Sequence, residues 1–179
     1  RAANRWEDLV GALEKEAELA KGTPREVELR HRIGQVLDGE LGDHEAAQQR
    51  FQEVMKLDPD FEPVFASLGR LLARRGRWDA LYKVYEKELP LHSDEPAKCV
   101  ELLYKMGELN EHKLGDERRA IDDYRRAIDL NPKHLPSLQA LSHLLGRRAE
   151  YEELAEVLHA ELAATEPEDA RARIAYRLG

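Results

Sequence analysis

The chain repeats itself, and this limits the folds open to it more than any other feature. Arg5-Trp6-Glu7-Asp8-Leu9 returns as Arg77-Trp78-Asp79-Ala80-Leu81 and, in weaker form, as Glu150-Tyr151-Glu152-Glu153-Leu154. Trp6 and Trp78 are 72 residues apart, and Trp78 and Tyr151 are 73 apart. A fixed long period marks an array of like units stacked on their neighbours, because one unit cannot bury its own apolar face. Such an array is a surface for holding partners more often than a pocket for chemistry.

The period inside each unit is helical. Phe65, Leu68 and Leu72, like Leu138, Leu141 and Leu145, lie three and four residues apart, which places them on one helix face. Asp58-Pro59-Asp60 matches Asn131-Pro132-Lys133, and Pro63 matches Pro136. Proline ends a helix or sits in its first turn, so each marks a joint. Gly22-Thr23-Pro24, Ser93-Asp94-Glu95-Pro96 and Glu166-Pro167 mark further joints, and Gly42, Gly76 and Gly115 fall in tight turns. This punctuation predicts about ten helices, over 4–20, 25–41, 44–57, 62–75, 77–90, 96–113, 116–130, 135–147, 150–164 and 168–179. No stretch between them has the length of a domain linker, so residues 1–179 read as a single domain.

Composition fits many solvated helical faces around a thin apolar seam, since 36% of the residues are charged and 6% aromatic. The net charge of −8 argues against nucleic acid as a partner. The single cysteine, Cys99, allows no intrachain disulfide. No apolar run approaches the roughly 20 residues that span a bilayer, and residues 1–6 have no apolar start of the kind a signal peptide shows. The reading is therefore a soluble chain without membrane insertion, whose localisation the sequence leaves open while favouring the cytoplasm.

Two segments carry the densest pattern. Ala47, Phe51 and Pro59 have the same spacing as Ala120, Tyr124 and Pro132, while Phe65-x-x-Leu68-Gly69-x-x-Leu72 supplies a preceding helix. This grammar resembles the tetratricopeptide repeat, with its W-x2-L-G-x2-Y, A-x3-F and P positions. Small residues such as Gly69 and Ala47 would let the two helices of a hairpin approach. Phe51, Tyr85 and Tyr124 would fill the space between hairpins. The resemblance covers nearly the whole chain in two alternating versions. Ile33-Gly34 and Met106-Gly107 supply the Leu-Gly pair of one version, and Leu68-Gly69 and Leu141-Ser142 that of the other. In the second version Leu81 and Leu154 replace the small alanine, and the terminal proline is missing.

The resemblance implies an all-α solenoid, a right-handed superhelix of antiparallel helix hairpins. It also implies a non-catalytic scaffold that takes a protein or peptide partner along its concave groove, with no cofactor. The groove stripe carried over by alignment is His31, Gln35 and Asp38; Ala66, Arg70 and Arg74; Tyr104, Glu108 and Glu111; and Gln139, His143 and Arg147. Some family members clamp the C-terminal carboxylate of chaperones with a lysine and an asparagine. The matching pairs here are His31/Gln35, Ala66/Arg70, Tyr104/Glu108 and Gln139/His143, so that role is not expected. Arg70, Arg74 and Arg147 suit an acidic peptide through bidentate contacts, while Glu108 and Glu111 oppose one. Trp6 aligns with Trp78, and Leu178-Gly179 with Leu68-Gly69, so both ends fall inside the repeat grammar. The chain therefore reads as part of a longer array. End-to-end self-association, or service as a recruiting segment of a larger protein, are the rival readings.

The remaining chemistry-bearing residues read as structural. Trp6 and Trp78 recur at one repeat position and are assigned to packing between hairpins. Cys99 has no histidine–carboxylate companion and reads as a small core residue. His31, His44, His92, His112, His134, His143 and His159 show neither HExxH nor i,i+4 pairing, so no metal site is expected. Asp122-Asp123 beside Arg125 and Arg126 reads as a solvated face with helical ion pairs. Arginine outnumbers lysine 19 to 9, a bias that suits a bacterial GC-rich genome.

Overall fold

The computed structural model describes residues 2–165 and 174–177. They form nine long helices: α1 (Ala2–Leu19), α2 (Pro24–Gly39), α3 (His44–Leu57), α4 (Glu62–Arg74), α5 (Trp78–Glu88), α6 (Pro96–Leu109), α7 (Glu117–Leu130), α8 (Leu135–Arg147) and α9 (Tyr151–Ala164). Residues 174–177 are also helical; the rest of the expected tenth helix and the Glu166-Pro167 joint lie outside the described residues. The molecule divides into two compact units, 1–88 and 89–179, where the sequence alone predicts a single domain.

Each helix starts and stops for a local reason. Pro24, Pro63, Pro96 and Pro136 occupy first turns, where the missing N–H has no intrahelical partner to lose. The Asp43 and Asp116 carboxylates accept the N–H groups of Ala46 and Arg119, at 3.0 and 3.1 Å, and so cap α3 and α7. The expected helix over 96–113 changes character near its end. After Leu109 the chain widens into a π-helical turn, Asn110–Leu114, closed by Gly115 at φ 70°.

In the first unit α1 packs on α2, and α2/α3 and α4/α5 form the hairpins. In the second unit α6/α7 and α8/α9 repeat the plan. Phe51 and Tyr124 are almost wholly buried, and Ala47 and Ala120 are fully so. The tightest approach lies at Gly34 and Gly107, not at Gly69. A Cβ on Gly34 would fall 2.5 Å from the Phe51 ring, and one on Gly107 2.4 Å from the Tyr124 ring. At Gly69 the nearest atom, of Leu81, would stand at 3.5 Å, an ordinary contact. The reason is the departure in the second version of the repeat: α5 presents an aliphatic side chain where α3 and α7 present a ring.

The ring clusters follow the same template. His31, Phe51 and Phe61 pack together in the first unit, with centroids 5.6 and 5.3 Å apart. Tyr104, Tyr124 and His134, each 73 residues further on, pack at 5.9 and 5.6 Å in the second. One histidine serves each cluster, from a different corner. Asp123 departs from the expected solvated face. It is buried, accepts the Asn110 side-chain N–H at 2.8 Å and lies 3.4 Å from Arg126. Asp122 is exposed and pairs with Arg125, as expected.

Candidate functional site: the faces of the first helices

The first helices of the hairpins, α2 and α4 in one unit and α6 and α8 in the other, carry the stripe picked out from sequence. Gln35, Ala66 and Arg70 are exposed on the first unit. His31 is not available to a ligand. It is 8% exposed, packed between two phenylalanine rings, and its Nε2 lies 3.0 Å from Ser67 Oγ. Burial holds its imidazole below the ordinary value of 6.5, and the nearby Arg70 charge acts in the same direction, with Pro63 partly opposing both. The residue type at this position is a core choice, and the alignment alone does not show which way the ring turns.

Arg74 is exposed as expected, but its charge is already met by Asp38 in the next hairpin. Asp38 also receives His44 at 2.9 Å. The second unit keeps the acid and the arginine at the equivalent positions, Glu111 and Arg147, but has Glu117 where the first has His44. Arg147 reaches Glu111 at 3.2 Å and Glu117 at 2.9 Å. An acid between two basic residues therefore becomes an arginine between two acids. Glu111 also accepts the Tyr124 hydroxyl at 3.1 Å, and burial together with that carboxylate drives the Tyr124 phenol far above its usual range. Tyr104 is half-buried and donates to Glu108 at 3.1 Å; burial and Glu108 raise its phenol as well. Gln139 and His143 are exposed, with His143 Nδ1 3.5 Å from Arg147.

Arg70 differs from the other two stripe arginines. Its one polar contact is Ser67 Oγ at 3.4 Å, and it has no carboxylate partner among the described residues. It opens onto a cleft of about 330 Å³ in the first unit. Trp6 of α1, Arg32, Gln35, Val36, Asp38 and Gly39 of α2, Glu40, Phe51 of α3, and Ser67 and Arg70 of α4 line this cleft. Gln35, Asp38 and Arg70 belong to the sequence stripe. Trp6 and Arg32 do not: Trp6 reads from sequence as packing, and it is half-buried against this cleft. Arg32 is exposed and likewise has no carboxylate partner among the described residues. One signal for it was present, since it follows His31 directly and so leaves the helix on a different side.

Among the described residues, no group of three His, Cys, Asp or Glu side chains is placed to hold a metal ion. Cys99 is buried, with its thiol 3.0 Å from the His92 carbonyl. No helix of the described residues is long and apolar enough to cross a membrane.

Comparison with known proteins agrees with this architecture. The tetratricopeptide repeat profile matches residues 27–61 and 100–134, two segments whose starts are 73 residues apart, and a second tetratricopeptide repeat profile matches 64–97. No curated protein sequence matches the chain. Among solved structures, MamA is 17% identical, with a TM-score of 0.57 over 94% of this chain and 91% of that one. YrrB, described as a TPR protein with an unusual peptide-binding site, is also 17% identical, with a TM-score of 0.57 over 93% of this chain and 80% of that one. PilF of Pseudomonas aeruginosa is 15% identical, with a TM-score of 0.53 over 99% of this chain and 82% of that one. At these identities the likeness speaks for the fold. The profile matches together cover more than half of the sequence, and with the repeated hairpins they settle the family. The chain belongs to the tetratricopeptide repeat family.

Proposed function

We propose that the protein is a non-catalytic scaffold that binds a protein or peptide partner on the exposed faces of its first helices, with Arg70 as a principal contact. The observation that carries this reading is the contrast among the three stripe arginines. Arg74 and Arg147 are held by carboxylates of their own unit. Arg70 stands exposed in a cleft with a hydroxyl as its one polar contact among the described residues. A guanidinium left without a carboxylate has bidentate donors to offer, and a carboxylate on a partner is the group that uses them best. The basic stripe inferred from sequence thus narrows from three arginines to one. The description of YrrB as carrying a peptide-binding site supports the same use of the fold.

The test is affinity capture from a lysate of the source cells, quantified by mass spectrometry, with wild-type protein and Arg70→Glu side by side. A protein recovered with the wild type and lost with the variant is the expected result. Equal recovery in both, with the variant shown folded by circular dichroism, would remove Arg70 from the contact.

A further inference from the structure

The cleft beside Arg70 has a chemical polarity of its own. Arg32 and Glu40 both line it, separated by two helical turns at the C-terminal end of α2, a span of about 12 Å. Neither has an ion-pair partner among the described residues. Asp38, also on the wall, is neutralised by Arg74. The charges that remain are therefore Arg32 and Glu40, about two turns apart along α2, and Arg70 on α4. Val36, buried, lies on α2 between Arg32 and Glu40, and the half-buried indole of Trp6 faces the same space from α1.

We infer that this cleft takes an extended peptide segment of a partner in which an acidic and a basic residue flank three residues, the middle one apolar. Its carboxylate meets Arg32 and Arg70, its basic group meets Glu40, and its apolar side chain lies on Trp6 and Val36. The spacing follows from reach and facing: an extended chain advances about 3.3 Å per residue and alternates its side chains, so four steps span about 13 Å and leave both charges and the central residue on one face. The opposed charges reject a segment that carries like charges at both ends, because one end would then meet its own sign in a partly desolvated site. This inference rests on the first-helix reading above and adds the ligand class, together with two residues, Trp6 and Arg32, outside the aligned stripe.

The cleft supplies its own reporter. The chain has two tryptophans, so Trp78→Phe leaves Trp6 as the sole indole. The probes are acetylated, amidated hexapeptides bearing glutamate and arginine four positions apart around alanine, leucine and alanine, in both chain directions. A control has the same composition with the two charges adjacent. In the Trp78→Phe background, one direction is expected to shift Trp6 emission saturably, and the control to bind about tenfold or more weakly. Arg32→Glu and Arg70→Glu should each lower affinity by about tenfold or more. Glu40→Arg should weaken the same peptide while strengthening one with glutamate at both charged positions.

Each other outcome overturns a defined part. No saturable shift with either direction, or equal affinity for the control, overturns the cleft assignment. Loss with Arg70→Glu but not with Arg32→Glu also overturns it, while leaving the first-helix reading intact. If the hexapeptides bind through Arg32 but lysate capture ignores Arg70→Glu, the cleft stands as a peptide site and the wider scaffold reading falls.

Discussion

The two units run one 73-residue template with different side chains, and the differences fall at the exposed faces and in the polar interior. At the ring clusters the first unit uses His31, Phe51 and Phe61 where the second uses Tyr104, Tyr124 and His134. Beneath Gly34 the ring is a phenylalanine with no polar anchor. Beneath Gly107 it is a tyrosine whose hydroxyl is tied to Glu111. Glu111 in turn is tied to Arg147, so the second unit links its core to its surface pair through hydrogen bonds. In the first unit Asp38 forms the equivalent surface pair without reaching the core. The lesson is that a shared backbone plan fixes where rings and small residues must sit but leaves the charges on the faces free to diverge. Arg70 is exposed without a carboxylate; its counterpart His143 lies against Arg147.

The largest effect should come from filling the closest approach. Gly34→Ala and Gly107→Ala each drive a methyl into an aromatic ring, at a cost of about 1–3 kcal/mol. Gly107→Ala should cost more, because the Tyr124 ring is pinned at its hydroxyl while Phe51 has no polar anchor. Thermal or chemical denaturation checks both the size and the order, and equal losses would contradict the difference in anchoring.

Next are the surface pairs. Arg147→Met removes the cation from Glu111, whose side chain is only 6% exposed. A nearly buried carboxylate without its cation costs about 1–3 kcal/mol. Arg74→Met frees a more accessible Asp38 that keeps His44, so the loss should stay below about 1 kcal/mol and shrink further in high salt. Parallel denaturation of the two variants at low and high salt distinguishes them.

Smaller again is the turn before α5 and before α9. Gly76 has φ 63°, and its counterpart Ala149 adopts the same left-handed conformation at φ 56°. Gly76→Ala should cost about 1 kcal/mol, and Ala149→Gly should be neutral or stabilising by up to about 1 kcal/mol, since relief of strain competes with the added freedom of the unfolded chain. A lowered melting temperature for Gly76→Ala and an unchanged or raised one for Ala149→Gly are the expected results.

The smallest effect concerns pH. His31 has a folded value lowered below 6.5, chiefly by burial. As pH falls from 6.5, the unfolded chain takes up the proton first. The stability this neutral histidine contributes is therefore present above pH 6.5 and is lost on acidification towards the lowered folded value. The second unit has Tyr104 at this position, which does not titrate there. His31→Tyr should therefore flatten the stability profile just below pH 6.5, and an unchanged slope would show that His31 titrates alike in the folded and the unfolded chain.

Much of the fold is legible in the sequence because its determinants are local or periodic. Prolines in first turns, aspartates before α3 and α7, and the recurring small and aromatic residues all act within a few positions of themselves. The site was legible only in part. Which helix face bears the stripe is what the family resemblance implies, and Gln35 and Arg70 are exposed, as that alignment requires. The pairing of Arg74 with Asp38 spans 36 residues and depends on the register of two helices in different hairpins, which no local pattern carries. The inward turn of His31 and the burial of Asp123 beside Asn110 likewise come from tertiary packing. Trp6 recurs with Trp78 and so signals packing from sequence alone; its place on the cleft needed the position of α1 against α2.

The most direct test sets Arg70→Glu against His143→Glu, the same change at equivalent positions of the two units. Both residues are exposed, so neither substitution disturbs a core. Affinity for the partner captured by the wild-type protein should fall by about tenfold or more for Arg70→Glu and stay within about twofold for His143→Glu, where no unpaired arginine is lost. Equal losses, or none in either variant, would contradict the claim that the first unit carries the open face.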